Sequence, residues 1–86
     1  MLELTLLGTE GCHLCELAQQ VLIQCSVYRT DLSVYLEDIG ESEVDIERYG
    51  VRIPVLRHDQ SGAELDWPFD VSTCLEWLQA VAPVNP

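Results

Sequence analysis

An α/β domain is predicted, built on a four-stranded mixed sheet with the element order βαβαββα. Three patterns carry that expectation. Near the N-terminus Leu2, Leu4 and Leu6 alternate with Glu3 and Thr5, the period-two signature of a half-buried strand. Two later stretches place apolar residues three and four apart, as one face of a helix does. Between those helices, Asp59-Gln60-Ser61-Gly62 separates two runs of strand formers and has the residues of a hairpin turn.

The first strand leads into a turn over residues 8–11, bounded by Gly8 and Gly11. Leu14, Leu17, Ala18, Val21, Leu22 and Cys25 then define the apolar face of a helix over about residues 12–26. Residues 33–37, Ser-Val-Tyr-Leu-Glu, are rich in strand formers and read as the second strand. A short helix runs from Ser42, its expected N-cap, to Tyr49, with Gly50 as its stop. Ile53-Pro54-Val55-Leu56-Arg57 and Ala63-Glu64-Leu65-Asp66 are the two strands of the hairpin. From Asp70, a good N-cap, Val71, Cys74, Leu75, Leu78 and Val81 mark a closing helix that Pro83 ends. A right-handed crossover joins the first two strands, and the first and third helices share one face of the sheet. No repeat or linker interrupts this plan, so residues 1–86 are read as one domain.

Composition restricts the function classes. Fifteen Asp and Glu face four Arg and no Lys, a formal net charge of -11. Coulomb repulsion sets nucleic acid and anionic membranes aside as partners, while a basic protein partner remains compatible. No apolar run approaches the ~20 residues of a bilayer span. Residues 1–7 lack the basic flank and long apolar run of a signal peptide, so a soluble, cytoplasmic protein is expected.

In a reducing compartment a Cys-x-x-Cys is more often catalytic or metal-binding than structural. Gly11-Cys12-His13-Leu14-Cys15 stands directly after the first strand and at the head of the first helix. A thiolate there meets unpaired backbone N–H groups and the positive end of the helix dipole, which make it nucleophilic near neutral pH. A thiol one turn later lies on the same face and resolves a mixed disulfide formed at the first. Cys12 is therefore the expected attacking thiolate and Cys15 the resolving thiol. His13, as an imidazolium between them, is a candidate redox tuner opposed by Glu10 and Glu16. Cys25 and Cys74 occupy apolar helix positions and read as core residues, and His58 reads as an ordinary strand-end residue. In a continuous helix Cys25 lies about 15 Å from Cys15, too far to share a disulfide or an ion.

A strand leading into Cys-x-x-Cys at a helix start, followed some forty residues later by Tyr49-Gly50-Val51-Arg52-Ile53-Pro54-Val55, resembles the thioredoxin fold. The short chain is similar to the glutaredoxin-like members of that superfamily over essentially its whole length. The resemblance implies a cis Ile53-Pro54 peptide facing the cysteines. An extended substrate would then pair with the backbone of Ile53 beside Pro54 while its disulfide approaches Cys12.

The implied activity is thiol-disulfide oxidoreduction in the maintenance of cell redox state, with no tightly bound cofactor. Glutathione or a reductase is the candidate electron donor, and protein disulfides or glutathione mixed disulfides are the candidate substrates. The sequence departs from common glutaredoxins where glutathione is held: it has His13-Leu14 between the cysteines, Thr9-Glu10 before them, and Leu65-Asp66-Trp67-Pro68-Phe69-Asp70 before the last helix. Asp70 is placed either to cap that helix or to meet a glutathione amino group. Trp67 and Phe69 are placed either to rim a peptide-like substrate or to pack in the core. The rival class is a zinc or iron-sulfur module using Cys12 and Cys15, for which the sequence offers no second close pair of ligands within one chain, so no metal is expected. A third reading keeps the fold for protein association only, with an idle dithiol.

Overall fold

The N-terminal strand, β1, spans Leu2–Gly8 and pairs on both sides. In the computed structural model, which describes residues 2–83, it is followed by α1 (His13–Tyr28), β2 (Leu32–Asp38), α2 (Glu43–Tyr49), β3 (Val55–His58), β4 (Glu64–Asp66) and α3 (Val71–Val81). Met1 and residues 84–86 of the expected single domain lie outside the described residues. The sheet order is β2-β1-β3-β4, with β2 parallel to β1 and the other pairs antiparallel. This is the mixed sheet and element order that the sequence predicts.

The alternation in β1 divides the core into two layers. Leu2, Leu4 and Leu6 face α1 and α3, where they meet Ala18, Leu22, Cys25, Cys74 and Leu78. Leu7 points the other way and joins Val55, Ile39 and Tyr49 in a smaller cluster under α2. A fully buried leucine such as Leu4, Leu56 or Leu78 contributes about 1.5–3 kcal/mol from removal of its surface from water. At the end of α1 the buried Arg29 side chain donates to Asp31 and to the carbonyl of Ala82, fastening the C-terminal ends of α1 and α3 together.

Several boundaries differ from the sequence reading, each for a local reason. α1 continues to Tyr28, and Cys12 stands outside it as N-cap. Its buried stripe is Cys15, Ala18, Leu22 and Cys25, at spacings of three and four. That stripe leaves Leu14 exposed, a correction to its expected place on the buried face. β3 begins at Val55 instead of Ile53, because Pro54 has no N–H and the Ile53 N–H donates to Tyr49 O at 3.1 Å. Between β2 and α2 lies a 3-10 turn, Ile39–Glu41, in which the Asp38 carboxylate accepts from the Gly40 N–H at 2.8 Å. Ser42 caps α2 as expected, accepting from the Asp45 N–H at 3.3 Å.

Candidate functional site

The β1–α1 junction is shaped by two glycines. Gly11 has φ +79, a left-handed conformation that side-chain-bearing residues rarely adopt, and it turns the chain so that the Cys12 N–H donates to Thr9 O at 3.3 Å. Gly8 provides space: a Cβ there would lie 2.8 Å from Cys15 Sγ. Cys12 and Cys15 are joined as a disulfide with their Cα atoms 5.2 Å apart. Cys12 Sγ also accepts the Cys15 N–H at 3.1 Å, the position of an N-cap acceptor. Cys15 is 5% exposed and Cys12 half-buried, so an incoming group meets Cys12 first. A backbone N–H directed at a sulfur from the first turn of a helix is a group that stabilises negative charge there.

The second part of the site comes from the start of β3. Leu7 pairs with Val55 in the antiparallel ladder, and one further step sets Pro54 level with Gly8, on whose Cα the Cys15 sulfur rests. Pro54 is fully buried, and the Ile53-Pro54 bond is cis. Trp67 is tied to this loop through its backbone N–H, which donates to Pro54 O at 3.2 Å. The Trp67-Pro68 bond is also cis, a feature absent from the sequence reading. The Trp67 ring stacks edge-on against Phe69 with centroids 5.1 Å apart. Phe69 is buried in the larger core, which leaves Trp67 alone of the two half-exposed. Asp70 caps α3, its Oδ1 accepting the Thr73 N–H at 2.7 Å. That hydrogen bond holds its carboxyl below the ordinary carboxylate range. His13, in the first turn of α1, is exposed with its Nδ1 3.8 Å from Glu16 Oε2.

Cationic side chains near this edge are committed elsewhere. Arg52, next to Ile53, pairs with Glu64 at 2.9 Å and Asp66 at 2.7 Å, and Tyr49 Oη donates to Glu64 at 2.7 Å. Arg52 first, then Tyr49, holds Glu64 below the usual carboxylate range. Arg57 lies against Asp59 and Glu37. A cleft of ≈ 350 Å³ opens beside Cys15 on the β2 side, with Glu10 and Asp38 at its mouth.

The structure thus joins Cys12 and Cys15, sets Pro54 one register step beyond Val55, level with Gly8, and connects Trp67 to Pro54 through the backbone. Sequence reasoning missed the contact between Cys25 and Cys74, two fully buried thiols joining α1 to α3. Burial, with Cys25 beside it, pushes the Cys74 thiol well above its ordinary value. His58 is buried with its Nδ1 2.6 Å from Ser61 Oγ, closing the hairpin turn. Among the described residues no three His, Cys, Asp or Glu side chains gather as a metal site, so within one chain Cys12 and Cys15 are the donors that the rival metal module has to offer. Among the described residues no helix is long and apolar enough to cross a membrane.

A parallel-antiparallel four-stranded sheet with a Cys12–Cys15 disulfide at the head of the first helix defines a protein of the thioredoxin fold. The fold is shared with oxidised thioredoxin from Plasmodium falciparum, 17% identical with a TM-score of 0.58 over 94% of this chain and 81% of that one. The sequence model of the Glutaredoxin-like domain (DUF836) matches residues 3–79, and the chain belongs to that family. It is similar to the structural-genomics target protein XcR50 from X. campestris. The X-ray structure of XcR50 is 39% identical with a TM-score of 0.79, covering 90% of this chain and 96% of that one. Its solution structure gives 38% and 0.77, covering 93% and 95%. No curated protein matches the chain.

Proposed function

We propose that the protein is a glutaredoxin-like thiol-disulfide oxidoreductase that works through Cys12 and Cys15. The observation that carries this reading is the Cys12 sulfur at the α1 N-cap, accepting the Cys15 N–H and bonded to the Cys15 sulfur. In the reduced protein the Cys12 thiolate attacks one sulfur of a substrate disulfide. A mixed disulfide forms and the other substrate sulfur leaves as a thiolate. Cys15, deprotonated, then attacks Cys12 Sγ. The second substrate thiol departs and the Cys12–Cys15 disulfide is formed, so the substrate gains two electrons and the protein loses them. Two thiols from glutathione or a reductase restore the dithiol, and no tightly bound cofactor is needed.

Membership of the glutaredoxin-like family supports the same reading. Protein disulfides fit the site better than glutathione mixed disulfides, because Arg52 and Arg57 are already paired with carboxylates and Asp70 is occupied as a cap. The free thiols of Cys25 and Cys74 suit a reducing compartment such as the cytoplasm. Trapping tests the reading. With a disulfide substrate, Cys15→Ser should accumulate a mixed disulfide on Cys12, and Cys12→Ser should be inactive. Mass spectrometry that finds the adduct on Cys15 reverses the assignment, and no adduct with any disulfide leaves the dithiol idle.

A further inference from the structure

β2 is an edge strand, paired only with β1 among the described residues. Its outward N–H and C=O groups have no partner there. Natural edges of this length are usually blunted by lysine, proline or a bulge. β2 has no lysine, proline or bulge and carries its charges, Glu37 and Asp38, at its C-terminal end, while Tyr35 is 54% and Leu36 62% exposed.

A second cleft, of ≈ 330 Å³, runs between β2 and α1 over Leu22, Ile23, Val34 and Leu36. It shares Gln19 and Leu36 with the cleft beside Cys15. The two adjoin along the edge strand as one trough that ends beside Cys15. Its floor is apolar, and Ile23 on its helix wall is 67% exposed. The opposite face of the same strand is aromatic and mainly acidic, its cation being Arg57, which pairs with Thr5 in the sheet and stands 3.9 Å from Glu37. Odd-numbered residues of β1 and β2 share it, which sets Glu3, Tyr35 and Glu37 on that side.

We propose that the β2 edge and its trough dock an extended segment of a partner protein in which apolar and basic residues alternate. Such a segment adds a fifth strand. Its apolar side chains fall on Leu36, Val34 and Ile23, and its Lys or Arg side chains fall beside Glu37, Glu3 and the Tyr35 ring. A second copy of this chain is the poorer occupant, since two chains that each carry a net charge of -11 repel one another. The proposal rests on the redox reading only in making the partner a substrate, held by a trough that ends on the Cys15 side of the Cys12–Cys15 pair.

The test is a titration of the 15N-labelled protein, with Cys12 and Cys15 both changed to Ser, using an acetylated, amidated heptapeptide that alternates valine and lysine. Because neither this probe nor this protein carries the Cys12–Cys15 pair, failure of the oxidoreductase reading does not affect the outcome. Shifts are expected at the amides of residues 32–38 and along the 19–26 face of α1, weakening as salt is raised. Leu36→Arg, at an exposed position, should reduce affinity by about tenfold. A peptide N-methylated at alternate residues, or one with glutamate for lysine, should not bind. The proposal is overturned by shifts confined to residues 12–15 and 53–54, by equal binding of the N-methylated peptide, or by concentration-dependent dimerisation through β2 without peptide.

Discussion

Gly8→Ala probes how closely the dithiol is seated on the sheet. A Cβ at residue 8 would lie 2.8 Å from Cys15 Sγ and 3.3 Å from Cys15 Cβ, against a comfortable separation of about 3.5–4.0 Å. The neighbour must give by roughly an ångström, and overpacking of this kind costs about 1–3 kcal/mol. The two redox states bear that cost unequally. In the disulfide, Cys15 Sγ is fixed by its bond to Cys12; in the dithiol it is free to take another rotamer. The oxidised form is therefore penalised more, and since about 1.4 kcal/mol corresponds to 30 mV for a two-electron couple, the potential should rise by roughly 20–60 mV. Equilibration of wild type and variant against graded glutathione buffers, read by thiol alkylation, measures the shift. An unchanged potential in a folded variant whose oxidised and reduced forms lose equal thermal stability would refute the reasoning.

Three further outcomes follow from other contacts. The pairing that lowers the Glu64 carboxyl is complete above its unfolded pKa, about 4.3, and is lost as pH falls through the lower folded value; Arg52→Gln should therefore destabilise the protein more at pH 7 than at pH 3, by urea unfolding, and an equal loss at both would contradict the assignment. Cys74→Ser sets a hydroxyl between α1 and α3 and should lower stability by about 1–3 kcal/mol, while leaving the Cys12–Cys15 potential unchanged in the same redox titration. Reduction of a glutathione mixed disulfide should be slow and should speed up as salt screens the net charge of -11, whereas a basic protein disulfide should show the opposite salt effect in matched kinetic assays. Fast, salt-insensitive turnover of the glutathione adduct would instead make Asp70 a ligand contact.

Features fixed by short stretches of chain were legible from the residues. Period two in β1, the Ser42 and Asp70 caps and the hairpin turn each depend on neighbours in sequence, and the order of elements followed. The placing of Cys12 and Cys15 at the head of α1 was equally local, because a helix N-terminus acts on whatever stands within its first turn. Leu14 shows the limit of that reasoning: periodicity alone gave it a buried position, and only the actual direction of the Cys15–Cys25 stripe excludes it. The Cys25–Cys74 contact and the link from Trp67 to Pro54 join distant segments, so no local pattern contains them. The 3-10 turn was more accessible, since Asp38 and Gly40 have the spacing in which a carboxylate accepts an N–H two residues on.

The division of the core into two layers means that the halves of the site belong to different packing units. α1, which carries both cysteines, is anchored through Ala18, Leu22 and Cys25 in the larger layer. Ile53 packs on the smaller one, where Tyr49 and Ile39 hold the α2 side. Layers with fewer buried contacts open more often by local fluctuation. Under the proposed function, the Ile53 backbone can thus be released and reseated while the Cys12–Cys15 pair stays assembled, so a change within α2 is expected to alter which molecules are accepted and to leave untouched how strongly electrons are held.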